Sequence, residues 1–294
     1  MLLLDDRTPM KQQAELQKAR NAFHAKLCKE ILLIDKAGKA TNADSSNPLS
    51  NNIAVRLARK LDARSGERPT GQTAGNVFER ICTGFVKDSF LKLHHLRPGI
   101  WEILQASGND LDLARFEQYS HLKEIELLAK KYPELRTVLG GDYFIKPDIV
   151  IFRSPEEDAE INKKGVLVNE SCATLASLRK RNSNLAILHA SISCKWTIRS
   201  DRTQNSRSEA LNLIRNRKGH VPHIVVVTAE PLPSRLASIC LGTGDIDCVY
   251  HFALPELRDA IAELKLVDAL DSLDTLIHGK RLRDVSDLPL DLAV

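Results

Sequence analysis

Four charged side chains occupy places where a folded chain has to compensate them. Asp148 interrupts IKPDIVIF just after Pro147, in an extended run that would normally exclude both a charge and a proline. Lys195 ends the apolar run LAILHASISCK, and Glu209 follows it by fourteen residues. Glu79 lies in GNVFERICTGFVKDSF, where helical numbering carries the apolar arc of Phe78, Ile81, Cys82, Phe85 and Val86 round to its own angle. Each residue also has a plain structural reading. Asp148 would cap a loop at a strand edge, Lys195 would snorkel out of the core, Glu79 would sit in a salt bridge and Glu209 would face water.

Taken together, the four suggest a reaction. Hard cations such as Mg²⁺ take oxygen ligands and keep positions open for phosphate and water. Carboxylates could supply those ligands, and a lysine beside them could orient and polarise an attacking water and offset charge building on a phosphate. Ser193 shares the face of Lys195 under strand alternation, and the main-chain carbonyl of Cys194 could serve a hard cation. The chemistry implied is metal-assisted phosphodiester hydrolysis.

The charge distribution points the same way. The formal charge is only +4 over 294 residues, yet residues 195–220 hold seven Lys or Arg against Asp201 and Glu209. A basic segment on a near-neutral body suits a localised anion such as a phosphate backbone, although a solvated helix face would look the same. On that helix Arg202, Asn205, Glu209, Asn212 and Asn216 form one stripe, opposite Ala210, Leu211, Leu213 and Ile214.

These residues need elements to hold them. Periodicity predicts helices over 11–33, 53–63, 75–93, 111–131, 203–218, 255–265 and 267–277. Between the first two, 38–52 reads as a loop (TNADSSNPLSNN), and PTGQTAGN before the third reads as a turn. Strands are expected at 143–152, 164–168, 185–196, 223–229 and 246–252. The runs at 185–192 and 223–229 are apolar on both alternating faces, as central strands covered by helices would be. The expectation is an α/β or α+β layered fold in one domain, with an N-terminal helical part of about 60 residues packed on it.

Several classes are excluded. GQTAG lacks the GK[ST] of a P-loop, LGTGD is not GxGxxG, and there is no GxSxG or HExxH. The six cysteines form no CxxC pair, so free thiols are expected rather than a zinc site or disulfide framework, and His220 and His223 are read as structural or exposed. No window approaches the roughly 18 apolar residues of a membrane span, so the chain is expected to be soluble and cytoplasmic.

The residues also resemble a known family. PD at 147–148, SCK at 193–195 and Glu209 are similar to the rearranged PD-(D/E)XK pattern of the restriction endonucleases that recognise a CCGG core, within that branch the NgoMIV group. The likeness runs from about residue 20 to the C-terminus through PTGQTAGN, ILHASISCKWTIRSDR, PHIVVVTAEP, LGTGDIDCVYHFAL and VSDLPLDLAV. Ser193 stands where the wider superfamily has Asp or Glu, in keeping with the narrower branch. Differences around 64–68 and 154–164 fall in expected loops and bear on oligomer contacts and outer-base preference.

The resemblance implies a central mixed β-sheet flanked by helices in a PD-(D/E)XK restriction endonuclease-like fold. It implies Asp148, Lys195, Glu209 and Glu79 as catalytic residues, with Asp148, Glu209 and the Cys194 carbonyl as metal ligands for Mg²⁺, two ions per site. Arg199, Asp201 and Arg202 would read the inner CCGG, in keeping with guanidinium donors to guanine and a carboxylate accepting from cytosine. Arg235, Gln72, Asp44 and Ser46 would contact the outer base pairs. Also implied are a homotetramer built as a dimer of dimers on double-stranded DNA, and cleavage of GCCGGC after the first G to leave 5′ overhangs. A partner DNA methyltransferase would protect the host. Two other readings stand beside this one: a sequence-specific DNA-binding protein without catalysis, and an oligomerising structural protein whose basic stripe is merely solvated.

Overall fold

A mixed six-stranded sheet carries the molecule, and its strand order follows the order of the chain. The computed structural model describes residues 13–106, 111–132, 134, 147–198, 200–242 and 244–294, with main chain alone for 200–203. The strands are Trp101–Gln105 (β1), Ile149–Arg153 (β2), Ile187–Lys195 (β3), His223–Thr228 (β4), Cys248–His251 (β5) and Leu282–Asp284 (β6). The principal helices are Glu15–Glu30 (α1), Pro48–Lys60 (α2), Gly71–Phe90 (α3), Leu122–Lys131 (α4), Ser200–Asn216 (α5), Pro233–Cys240 (α6), Leu254–Glu263 (α7) and Val267–His278 (α8).

Strands β1 to β3 pair antiparallel, whereas β3 to β6 pair parallel. Parallel neighbours need crossovers, and here α5 lies between β3 and β4, α6 between β4 and β5, and α7 with α8 between β5 and β6. Because β2 runs opposite to β3, the start of β2 meets the end of β3, with Ile149 opposite Ile192. The end of β1 arrives at the same place, with Gln105 opposite Ile149 and the Ala106 N–H donating to the Asp148 carbonyl at 2.9 Å. One end of the sheet thus gathers Gln105, Asp148 and Lys195. In parallel sheets the crevice at the carboxyl ends of the strands is the usual ligand position.

The core is nearly continuous along β2 and β4, and α3 packs its Phe78, Ile81, Cys82 and Phe85 face inward. Helix α1 is tied to the far side by Arg20, which is 8% exposed. Its guanidinium forks onto Asp284 of β6 at 2.8 and 2.9 Å and onto Glu256 of α7 at 2.8 and 2.6 Å. All three groups are held charged: their mutual hydrogen bonds override burial, raising Arg20 and lowering Glu256 and Asp284.

The α/β expectation holds, and the helices expected at 53–63, 75–93, 203–218, 255–265 and 267–277 are all present with shifted ends. Other expectations are corrected. The loop read through Asn52 ends at Asn47, whose side chain caps α2 by accepting from the Ser50 N–H, with Pro48 in the first turn. PTGQTAGN is largely helical, because Thr70 caps α3 and Gly71 opens it. The helix read over 111–131 is two 3₁₀ turns followed by α4, since Phe116 bridges Ala186 instead of continuing a helix. No strand forms at 164–168: Val166 and Leu167 are exposed, and Asn162 accepts from the Leu167 and Val168 N–H groups. The strand read over 143–152 begins only at Ile149: Pro147 and Asp148 precede it outside the ladder, and 143–146 lie outside the described residues. Strands β1 and β6 and helix α6 had not been expected.

All six cysteines are free thiols. Among the described residues no helix is long and apolar enough to cross a membrane.

Breaking a buried ion pair leaves the remaining charges uncompensated, at a cost of about 3–5 kcal/mol. Arg20→Ala should therefore lower the urea unfolding free energy by about that amount, leaving Asp284 and Glu256 unpaired. A loss below about 1 kcal/mol, the range of exposed pairs, would mean that Arg20 does not anchor α1.

Candidate active site

Asp148 precedes β2 rather than lying inside a strand, so its charge stands at the sheet end instead of in the core. Its Oδ2 is approached by three donors from the end of β3: the Cys194 N–H at 2.6 Å, the Lys195 Nζ at 3.1 Å and the Ser193 hydroxyl at 3.4 Å. Ser193 and Lys195 reach it from the same face of the strand, as alternation requires. The Cys194 thiol points the other way, buried against Cys82 of α3, and burial pushes it well above the ordinary thiol range. That thiol is packing; only the main chain of Cys194 faces the site.

Lys195 and Asp148 are each mostly covered, with side chains 17% and 19% exposed. Burial alone would lower Lys195, but the charges of Asp148 and Glu209 outweigh it and raise the ammonium above its ordinary value. Glu209 reaches the same lysine from α5. Burial and the charge of Asp148 push its carboxyl up to about 7, against the opposing pull of Lys195. Glu79 reaches in from α3, pushed up to about 7 by burial and then by Asp148, with Lys195 and a hydrogen bond from Gln105 acting the other way. Three carboxylates lie within the field of one lysine; burial first, and the like charge of Asp148 after it, raises two of them.

That excess fits a divalent cation, which would neutralise it and ionise the raised glutamates. Among the described residues no three His, Cys, Asp or Glu side chains are grouped to hold a metal by themselves. Two carboxylates beside a main-chain carbonyl, completed by water and phosphate, make a donor set of the kind a hard divalent cation takes.

The basic segment begins beside this cluster. Helix α5 starts at Ser200, so Asp201 and Arg202 belong to its first turn rather than to a loop before it. Arg199 lies outside the described residues, as do the side chains of Asp201 and Arg202. In the stripe beyond, Asn205 is exposed while Glu209, Asn212 and Asn216 are half-buried, so this face is not simply solvated.

Of the residues expected at outer base pairs, three meet. Arg235 pairs with Asp44, and Asp44 also accepts from the Ser46 hydroxyl at 2.7 Å. Hydrogen bonds from Ser46 and Arg235 hold Asp44 well below the usual carboxylate range. Gln72 is exposed in the first turn of α3.

Sequence reading passed over Glu230. It is fully buried, accepts from the Ile198 N–H at 2.8 Å and the Leu232 N–H at 3.1 Å, and lies 3.8 Å from Arg235. Burial pushes its carboxyl up to about 7. A lone carboxylate in IVVVTAEPL is the same signal that singled out Asp148, and it was available. Arg207 was counted only as charge. It donates to the Ser238 and Leu241 carbonyls at 2.8 and 3.1 Å, satisfying the C-terminal end of α6.

A family model described as NgoMIV restriction enzyme matches residues 23–294. The chain is 56% identical over 278 residues to the type II restriction enzyme NgoMIV of Neisseria gonorrhoeae, an alignment covering 94% of this chain and 97% of that one. The complex of the restriction endonuclease PspGI with its substrate DNA aligns over 99% of this chain and 96% of that chain. Its TM-score of 0.36 and identity of 14% are too low to bear on the site.

The raised glutamates have a consequence for stability. Glu79 keeps its proton up to about pH 7 when folded, against 4.5 for a free side chain. The folded chain therefore binds more protons in that window and loses stability as pH rises through it. Without metal, Glu79→Gln should be more stable than the parent at pH 8 by about 1–2 kcal/mol, with the advantage gone below about pH 4.5. Urea midpoints across that range check this, and an advantage independent of pH would contradict it.

Proposed function

As this chain belongs to the NgoMIV restriction enzyme family and is a restriction endonuclease, a hydrolase acting on DNA, we propose that it cuts double-stranded GCCGGC after the first G with Mg²⁺. The observation that carries the reading is the meeting of Asp148, Lys195, Glu209 and Glu79 at the sheet end from which α5 departs. Asp148 and Glu209 would hold the cation, with the Cys194 carbonyl as the main-chain ligand and two ions per site in turnover. When bound, Mg²⁺ would polarise the scissile phosphate and acidify an attacking water.

The chain's own residues supply the rest. The Lys195 ammonium orients the water for in-line attack and offsets the charge that builds on the phosphate. Asp148 holds that ammonium in place through its 3.1 Å contact. Glu79 closes the site from α3 and, ionised beside a cation, supports the same charge balance. Arg199, Asp201 and Arg202 read the inner CCGG from the major groove, the arginines donating to guanine and the aspartate accepting from cytosine N4. Arg235, Asp44, Ser46 and Gln72 contact the outer base pairs. The reading extends to one endonuclease domain carrying its N-terminal helices, and to a homotetramer of two back-to-back dimers engaging two DNA sites. It extends also to a cytoplasmic setting in which a partner methyltransferase protects the host sequence.

Incubation with Mg²⁺ and a sequenced plasmid containing GCCGGC should give 5′ overhangs starting after the first G, as read by end mapping. An intact plasmid at every enzyme level, or ends at unrelated sequences, would overturn the proposal. Lys195→Ala should lower the cleavage rate by about 10²–10⁴-fold while leaving calcium-supported binding of the duplex in place. Loss of binding along with cleavage would contradict the role given to the lysine.

A further inference from the structure

The segment that ends β4 grips the chain on both sides of the step from catalyst to reader. The Thr228 hydroxyl donates to the Lys195 carbonyl at 2.8 Å, and the Ala229 N–H donates to the same oxygen at 3.2 Å. Thr228 also accepts from the Glu230 N–H at 3.1 Å, and both residues are fully buried. Three residues beyond Lys195, Glu230 accepts from the Ile198 N–H at 2.8 Å, and Arg235 donates to the Ile198 carbonyl at 3.2 Å. Ile198 is itself fully buried, and the next residue is Arg199. The fully buried Asn42 donates to the Ala229 carbonyl at 2.9 Å, so the grip is backed by the loop that also carries Asp44.

The fully buried carboxylate at 230 lies 3.8 Å from the Arg235 guanidinium and divides its two oxygens between two main-chain N–H groups. Its Oε1 holds the Leu232 N–H at the entrance to α6, and its Oε2 holds Ile198. Two apolar strands and a short helix could pack without it, at less desolvation cost. What Glu230 adds is an acceptor for the N–H of Ile198, whose carbonyl is held by Arg235, at the residue from which the base-reading segment departs.

We infer that Glu230, with Thr228, is a positioning residue that locks the base-reading segment and the catalytic lysine into one register, so that sequence recognition and chemistry are set by a single joint. The inference rests on the proposed role of Arg199, Asp201 and Arg202. Glu230 is fully buried, away from any surface that a duplex could reach. It acts through Ile198, and Thr228 acts through the carbonyl of Lys195. A displacement of about 1 Å at either point is enough to cost ~100-fold in rate.

The test compares wild type, Glu230→Gln, Glu230→Ala and Thr228→Val on the cognate duplex found by end mapping and on duplexes altered at one inner base pair. Unfolding temperatures are measured alongside. Glu230→Ala should cut the ratio of cognate to altered kcat/KM by about tenfold or more, since wrong-base discrimination depends on reader geometry. Glu230→Gln keeps an acceptor for the Ile198 N–H and should recover most of that ratio. Thr228→Val, similar in shape but without the hydroxyl, should lower kcat on the cognate duplex with KM little changed.

An unchanged specificity ratio in Glu230→Ala would overturn the inference, even with a lowered unfolding temperature, because a purely structural role moves only the latter. So would a Glu230→Gln variant as impaired as the alanine. Should Glu230→Ala not fold, the glutamine and valine variants decide: a ratio tenfold or more below wild type in Glu230→Gln, or wild-type kcat in Thr228→Val, overturns it. Wild type preferring a sequence without CCGG would instead overturn the proposed recognition site, and the ratio is then read on the preferred sequence.

Discussion

One oxygen organises the site. The Oδ2 of Asp148 receives the Cys194 N–H, the Lys195 ammonium and, more distantly, the Ser193 hydroxyl, and so fastens the start of β2 to the end of β3. A charge-assisted bond of 2.6 Å to a main-chain N–H fixes the carboxylate without relying on a mobile side chain. With Asp148 fixed, Lys195 is fixed, and the charges of Glu209 and Glu79 are set against both. The antiparallel turn of β2 against an otherwise parallel half-sheet is what allows this, because it returns a carboxylate to the end where β3 delivers its lysine.

The cluster is over-supplied with negative charge, which makes it poor as a stabilising ion pair and suitable for binding a cation. Burial and Asp148 together hold two glutamates near neutral pH in their half-ionised state. Perturbation of this kind, from desolvation combined with a named like charge, clusters at working sites. The Arg20 cluster on the far side makes the contrast. There two carboxylates face a forked guanidinium, and all three groups are driven toward their charged forms.

Much of this was legible in the sequence because charge in an apolar run has few explanations. Asp148 and Lys195 stood out for that reason, and the structure joins them. Buried central strands were also readable, since β3 and β4 are apolar on both faces. Strand β1, WEILQ, was not, because five residues with an acid and an amide carry no clear period. Leu282–Asp284 is too short for any pattern to register. The run at 164–168 misled in the opposite sense: it is mostly apolar, but no strand among the described residues pairs with it and its N–H groups at 167 and 168 turn to Asn162. Glu230 carried the same signal as Asp148 and was missed, because its partners are main-chain groups of Ile198 and Leu232 that no side-chain pattern reveals. The meeting of Arg235 with Asp44 joins positions 191 residues apart and had no local trace.

The central claim is that Asp148 builds a cation site whose glutamates ionise when it fills. Calorimetric titration of Ca²⁺ into the protein bound to its duplex at pH 6.5, repeated in buffers of different ionisation enthalpy, measures binding and proton release together. The account predicts release of about one proton or more per protomer, as glutamates raised to about 7 lose their protons to the cation, and loss of both binding and release in Asp148→Asn. Binding of equal strength in Asp148→Asn, or binding without proton release in the parent protein, would contradict it.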